Sequence, residues 1–410
     1  MRPPPSRNAA AVDRQPRQGQ LLLSIGIRFF IYVVHWMVLA LLPLLLRQVG
    51  FSDIAIGTAI GVFALSSMLL MLPMGTFSDF FSPKRTIMAG ALLYGIYFAL
   101  LPTITSFLPL LLNMVLGGIG SACLIVVSEG LYLKQFGQMQ RGRRISFFQF
   151  ATYLGFGTGP LIGGFVVGKS YGALFAVAVL GAIVIFALAS QLHDYEPIAY
   201  SLTAYRGDVM RPRPILLLAC IFVLGSHFGT EQTSLTLLME TRLHFSPQTI
   251  GMIFAGLGLW MAVAVPFIGS WHDRRSSQFL FLLCGLLVSG FFQALTSLAG
   301  SFAGLLAIRA MHTIGDAFAL LELSVLTAVF FPSQRLGGNS GLLYAVRTMA
   351  TFLAALLSGF INRSWGYHFS FGINGLFVML FALASIFYIL THRQKMESVG
   401  WRRDTTRKEQ

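Results

Sequence analysis

Twelve apolar blocks separated by short polar segments dominate this sequence, and they leave few options for its fold. They fall at roughly 20–46, 53–77, 85–104, 107–132, 145–167, 171–191, 214–239, 248–270, 278–297, 302–326, 339–361 and 368–391. Stretches such as 86–104, 173–190 and 279–300 contain no Asp, Glu, Lys or Arg. Apolar runs of about 18 residues or more have the length of a bilayer crossing. Backbone groups in hydrocarbon must find partners within their own segment, so such crossings are helices. The predicted class is an all-α membrane protein with twelve transmembrane helices. Only 11% of the residues are charged, against about 25% in soluble domains, too few to cover a water-facing surface.

The net charge of +14 would suggest nucleic acid in a soluble protein. Here the basic residues sit in short segments between apolar blocks, the pattern of cytoplasmic loops, and nucleic-acid binding is not expected. With the N-terminus placed in the cytoplasm, 22 of the 29 Lys and Arg residues fall in cytoplasmic loops and tails. The opposite loops hold Arg47, Lys169, Arg242 and Arg363, and Arg28, Arg309 and Arg347 lie inside helices. This bias predicts a multi-pass protein of the bacterial inner membrane with both termini cytoplasmic. Residues 1–19 are rich in Pro and Arg and lack the apolar core of a signal peptide, so they read as a disordered cytoplasmic tail, and 392–410 as a second tail. Cys123, Cys220 and Cys284 all lie in apolar blocks. Their spacing suggests neither a disulfide framework nor a metal site, and no metal or cofactor is expected.

The longest polar gap, 192–213, divides the helices into two groups of six, over 20–191 and 214–391. These groups repeat one another. Phe51-Ser52, Ile56-Gly57, Gly75 and Asp79 recur as Phe245-Ser246, Ile250-Gly251, Gly269 and Asp273 at a constant offset of 194. Gly164-Phe165 recurs as Gly359-Phe360. The offset implies an internal duplication, hence two pseudo-symmetric six-helix bundles joined by a cytoplasmic linker.

The turn after the second helix reads Gly75-Thr76-Phe77-Ser78-Asp79-Phe80-Phe81-Ser82-Pro83-Lys84-Arg85, with a shorter copy at Gly269-Ser270-Trp271-His272-Asp273-Arg274-Arg275. The fifth helix carries Gly155-Phe156-Gly157-Thr158-Gly159-Pro160-Leu161-Ile162-Gly163-Gly164. The duplicated layout and these motifs resemble the major facilitator superfamily of secondary transporters. The resemblance implies that Gly75, Asp79, Lys84 and Arg85, with Gly269, Asp273, Arg274 and Arg275, latch the halves on the cytoplasmic side. It also implies that helices 1, 4, 7 and 10 line a central cavity. The fifth-helix motif, Gly155, Gly159, Pro160, Gly163 and Gly164, resembles one associated with antiporting exporters. Glycines permit close helix approach and Pro160 bends the helix. The family's fourth-helix Arg is absent. Asn113 stands in that region, and the charged position appears in the tenth helix as Arg309.

An ionisable group at mid-bilayer costs at least about 2.5 kcal/mol, which marks it as functional by default. The candidates for substrate binding or proton coupling are Arg28 and His35, His227, Glu231 and Gln232, Arg309, His312 and Asp316, Arg347, and Asn113. Counting about 1.5 Å per residue from the helix ends places Asp316 at the depth of Arg347, and Glu231 at the depth of Arg309. Each is a candidate ion pair. Glu231 is the first choice for a proton-coupling carboxylate and Asp316 the second. Glu129 and Glu322, near cytoplasmic helix ends, are expected to meet Lys84/Arg85 and Arg274/Arg275 as latches. With those two acids at the gate, three arginines would face two acids inside, suiting an anionic or zwitterionic solute. Trp36, Tyr32, Tyr153 and Tyr344 are candidates to stack on a planar ligand.

The expected function is secondary transport of a small organic solute by alternating access, coupled to protons, as a monomer in the bilayer, with export slightly favoured. The alternatives are a nutrient, vitamin or siderophore importer of the same fold, or a non-transporting assembly or receptor protein derived from it. No H-E-x-x-H, C-x-x-C or nucleophile-elbow motif suggests an enzyme.

Overall fold

The computed structural model describes residues 18–135, 141–193, 202–210, 212–273 and 278–391. The tails expected at 1–19 and 392–410 therefore lie, except for Gln18 and Gly19, outside the described residues, as do Arg274 and Arg275. Among the described residues, twelve helices are long and apolar enough to cross a membrane. They are α1 Gln18–Val49, α2 Asp53–Phe80, α3 Pro83–Leu100, α4 Phe107–Lys134, α5 Arg141–Val167, α6 Tyr171–Ala189, α7 Pro212–Thr241, α8 Pro247–Asp273, α9 Gln278–Thr296, α10 Phe302–Phe330, α11 Leu336–Trp365 and α12 Tyr367–Thr391. The polar gap between the halves is not wholly irregular: it contains a short linker helix, Leu202–Val209.

Local sequence explains where these helices begin and break. Serine side chains cap α2, α3, α6 and α10: the Oγ atoms of Ser52, Ser82, Ser170 and Ser301 accept from the amides three residues on, at 3.0–3.3 Å. Such caps satisfy amides that the first helical turn leaves unpaired. The break in α1 at Ala40–Leu41 precedes Pro43, which has no amide hydrogen and crowds the carbonyl four residues back.

The two halves repeat the same pairings. In α1–α6, α1 packs on α5, α2 on α4, α3 on α4 and α6. In α7–α12, α7 packs on α11, α8 on α10, and α9 on α10 and α12. The principal contacts between halves, α2 with α11 and α5 with α8, are related by the same symmetry. Small residues permit both. Gly57 lies against Ala355 and Gly359, Gly75 against Gly337 and Gly341, Gly157 against Gly258, and Gly164 against Pro247. The glycine motif of α5 has a second role within its own half: Gly155, Gly159 and Gly163 rest on the backbone of α1 at Phe29, Val33 and Met37. Large apolar side chains, among them Leu69, Leu180, Phe267 and Phe387, cover the outside. A surface this apolar is suited to lipid.

A methyl group at Gly159 would overlap the Val33 carbonyl, whereas at Gly26 of α1 nothing lies within 4 Å. Gly159→Ala should therefore lose about 1–3 kcal/mol of stability, the usual range for overpacking, while Gly26→Ala should be neutral. Thermal unfolding of the two variants in detergent checks this.

Candidate functional site

Between the halves lies a cavity of about 170 Å³, lined by side chains of α1, α2, α4, α5, α7, α8, α10 and α11. Hydrogen bonds bridge the two halves at both ends of the bundle. At the end carrying the linker, Asp79 accepts hydrogen bonds from the Gly338 amide of α11 at 2.8 Å and from the Tyr205 hydroxyl of the linker helix at 2.7 Å. Asp79 also pairs with Lys134 at the end of α4. One residue-turn further along the linker helix, Asp208 receives a two-pronged bond from Arg335 at 2.7 and 2.8 Å and a third from Asn339 at 3.1 Å. Hydrogen bonding to Asp208 raises the Arg335 pKa above its already high ordinary value. The linker helix is thus strapped to both halves. At the far end, Tyr367 donates to Asp53 and accepts from Arg47, both at 2.9 Å, joining α12 to the start of α2 and the end of α1.

Asp79 stands where the motif places it. Glu129 does not, and the partners expected for Glu322, Arg274 and Arg275, lie outside the described residues. Glu129 is a cavity residue: its Oε2 lies 2.9 Å from Arg28 and accepts from the Tyr344 hydroxyl of α11 across the cavity. The buried Arg28 guanidinium lies at this depth and requires a counterion, which a carboxylate one and a half turns inside the helix end can supply. Arg28 also donates to the Ile125 carbonyl, Ser128 and Thr152 at 2.9–3.1 Å. Glu322 lies 2.6 Å from His272, the residue before Asp273 at the end of α8. Lys84 and Arg85 sit at the start of α3, away from Glu129's partners, and Gly269 is buried within α8. Asn113 leaves the cavity altogether: its amide donates to the Tyr97 carbonyl of α3 at 3.1 Å. His35 does line the cavity and shares a 2.8 Å hydrogen bond with Tyr94. Gln232 lines it as well.

The second charge cluster lies on the C-terminal half. Arg309 and Glu231 are paired, as their equal depth suggests, and Arg309 also donates to Gln293 at 2.8 Å. Asp316, however, does not meet Arg347. Its Oδ2 lies 3.1 Å from His312 Nε2 and 3.3 Å from His227 Nε2, and its Oδ1 accepts from Ser289 at 2.7 Å. Arg347 instead turns its guanidinium over the Tyr344 ring at 4.2 Å, with Phe228 at 5.7 Å. Equal depth on two helices does not fix which way each side chain points.

His312 gives this cluster its chemistry. Its Nδ1 lies 2.9 Å from the Ser289 carbonyl, which can only accept, so Nδ1 carries a hydrogen. Nε2 then faces Glu231 Oε1 at 2.9 Å and Asp316 Oδ2 at 3.1 Å. Those are acceptor–acceptor contacts unless one proton resides in the triangle. The ligand atoms of His227, His312 and Asp316 also gather within 4.8 Å of one another, close enough to hold a metal ion. The neighbouring Arg309, bonded to the Glu231 that touches His312, already supplies the positive charge a metal ion would bring.

Sequence reasoning did not foresee the strap formed by Tyr205, Asp208 and Arg335, the far-end latch at Tyr367, or Ser289 behind Asp316. Tyr205 and Asp208 lie three residues apart, the spacing of one helix face, and that was the available signal.

The profile of the Major Facilitator Superfamily matches residues 25–237 and again 215–408. The chain belongs to this family of membrane transporters. An uncharacterised MFS-type transporter of Methanocaldococcus jannaschii, MJ1560, is 22% identical over 83% of this chain and 90% of its own length. The quinolone resistance protein NorA of Staphylococcus aureus is 24% identical over 81% of this chain and 87% of its own. Among solved structures, the human organic anion transporter MFSD10 superposes with a TM-score of 0.72 at 18% identity, covering 90% of this chain and 99% of that one. A POT family transporter in complex with a thioalcohol-conjugated peptide also gives 0.72, at 14% identity, covering 92% and 96%. Both establish the fold.

Removing one member of a buried ion pair strands the other, at a cost of about 3–5 kcal/mol. Arg28→Met should destabilise the protein by that amount. Adding Glu129→Gln should recover much of the loss, as a double-mutant cycle by thermal unfolding will show.

Proposed function

We propose that the chain exports a small organic solute across the inner membrane by proton-coupled alternating access, with both termini in the cytoplasm. The observation that carries this reading is the His312–Glu231–Asp316 triangle, which needs one proton and whose two acids line the cavity. Adding or removing that proton changes the charge that Arg309 and the two histidines experience. A ligand or proton shifts a conformational equilibrium only through such differential interactions. The latches give the two states to be shifted. Opening the linker end must break the Asp79 contacts to Gly338 and Tyr205, and opening the far end must break the Tyr367 bridge. Rocking two repeated bundles about a shared site exchanges one opening for the other. Export is supported by the glycine motif of α5 and by the similarity to a quinolone resistance protein.

Proteoliposomes screened with antibiotics, vitamins and anionic metabolites under an imposed pH gradient test this reading. A solute should be driven against its gradient by inward proton flow. Glu231→Gln should reduce that proton-driven flux more than tenfold while the purified variant still binds the solute. Unchanged proton dependence in Glu231→Gln and in Asp316→Asn would remove the proposal.

A further inference from the structure

The charges of the cavity are unequal in a way that specifies the solute, granted that the chain is the transporter proposed above. Six charged side chains line it: Arg28, Glu129, Glu231, Arg309, Asp316 and Arg347. Every carboxylate has a partner. Glu129 is held by Arg28, Glu231 by Arg309 and His312, and Asp316 by His312 and His227. The Arg347 side chain alone among them makes no ion pair or hydrogen bond with the described residues, and the Tyr344 and Phe228 rings lie against its guanidinium. Three arginines oppose three acids, and the proton within the His312 triangle cancels one acid. One positive charge is left over, and Arg347 is where it is unopposed.

Hydrogen-bonding capacity leans the same way. The Tyr153 hydroxyl lines the cavity, is buried, and has no partner among the described residues. Arg347 adds further donors. The Arg309 Nε, also on this wall, is likewise buried without a partner among the described residues, and since buried donors without acceptors are costly, this wall favours a ligand that brings oxygen acceptors and negative charge. The rest of the wall is apolar and ring-rich: Trp36 and Phe156 meet edge to face with centroids 4.7 Å apart, and Phe63 and Phe254 complete that side. We infer that the solute is an organic anion with a flat apolar body, an aromatic carboxylate, and that Arg347 is the residue that recognises its charged group. The Tyr344 and Phe228 rings hold the guanidinium in place while leaving its donors unused. An organic cation would instead meet Arg347 with nothing between them, which gives discrimination by repulsion as well as attraction.

Three probes of one shape separate the possibilities: 2-naphthoate, the neutral 2-naphthamide and the cationic 2-naphthylmethylamine. Their binding to purified protein by titration calorimetry needs no proton gradient, so its outcome is independent of whether transport is proton-coupled. 2-Naphthoate should bind most tightly. Arg347→Gln should weaken it by at least about tenfold, the scale of a lost hydrogen bond to a charged group, and change 2-naphthamide by less than about twofold. Arg347→Lys should fall between, keeping the charge and losing the planar fork. Thermal unfolding of each variant confirms folding, and Arg347→Lys provides the reading should Arg347→Gln not fold. The inference fails if 2-naphthoate does not bind at millimolar concentration. It fails equally if the amine binds as tightly as the acid, or if folded variants bind 2-naphthoate as the unaltered protein does.

Discussion

A charge withdrawn from water must find its opposite inside the protein, and this requirement organises the centre of the molecule. Arg28 shows it at its strictest. It is buried, and its guanidinium meets Glu129, a backbone carbonyl and the hydroxyls of Ser128 and Thr152. Those partners come from α4 and α5, so one side chain of α1 fixes how three helices of the N-terminal half stand to one another. Satisfaction of this kind is costly to disturb, because breaking one contact strands a desolvated partner.

Helix backbones meet along small residues where the halves join, and there the constraint is steric. Gly57 faces Gly359 near the far end of α2 and α11, and Gly75 faces Gly337 and Gly341 near the linker end. Without hydrophobic drive between helices in lipid, such surfaces hold by close packing. Smooth glycine tracks have few interlocking side chains to disengage when one half tilts on the other. The specific bonds are concentrated instead at the two ends, around Asp79 and around Tyr367. Packing joins the halves along their length, and hydrogen bonds join them at the ends.

Much of this was legible in the sequence, for identifiable reasons. Helix number followed from the apolar blocks, and duplication from the constant offset between Asp79 and Asp273. Asp79 stands at a contact between the halves, as its local motif suggests. The Glu231–Arg309 pair was found because both residues lie at the same depth in apolar helices. Depth is one coordinate, and the azimuth of a helix that is apolar on nearly every face is not written in its periodicity. For that reason Asp316 was assigned to Arg347, whereas it faces His227 and His312. Glu129 was misplaced for a related reason. Nearness to a helix end was taken as access to water, yet the face of α4 that bears it turns to Arg28 and Tyr344. The strap at Tyr205 and Asp208 escaped notice because a helix of eight residues in a polar gap gives little periodic signal.

The two halves arose from one pattern but hold their charges differently, and the difference bears on which half does chemistry. Arg28 has several fixed acceptors around it, so no plausible proton movement there leaves the guanidinium better satisfied. The C-terminal cluster is under-determined: one imidazole nitrogen faces two carboxylates, with a second histidine close behind. Several arrangements of one proton among these atoms satisfy the same contacts, which is the property a switch requires. Tyr344 connects the two halves of this division. It belongs to α11 yet donates to Glu129 on α4, and its ring carries Arg347. Any tilt of one half on the other would stretch that hydrogen bond and shift the aromatic support beneath Arg347. A bond across the cavity thereby ties the position of the unpaired arginine to the relative placement of the two halves.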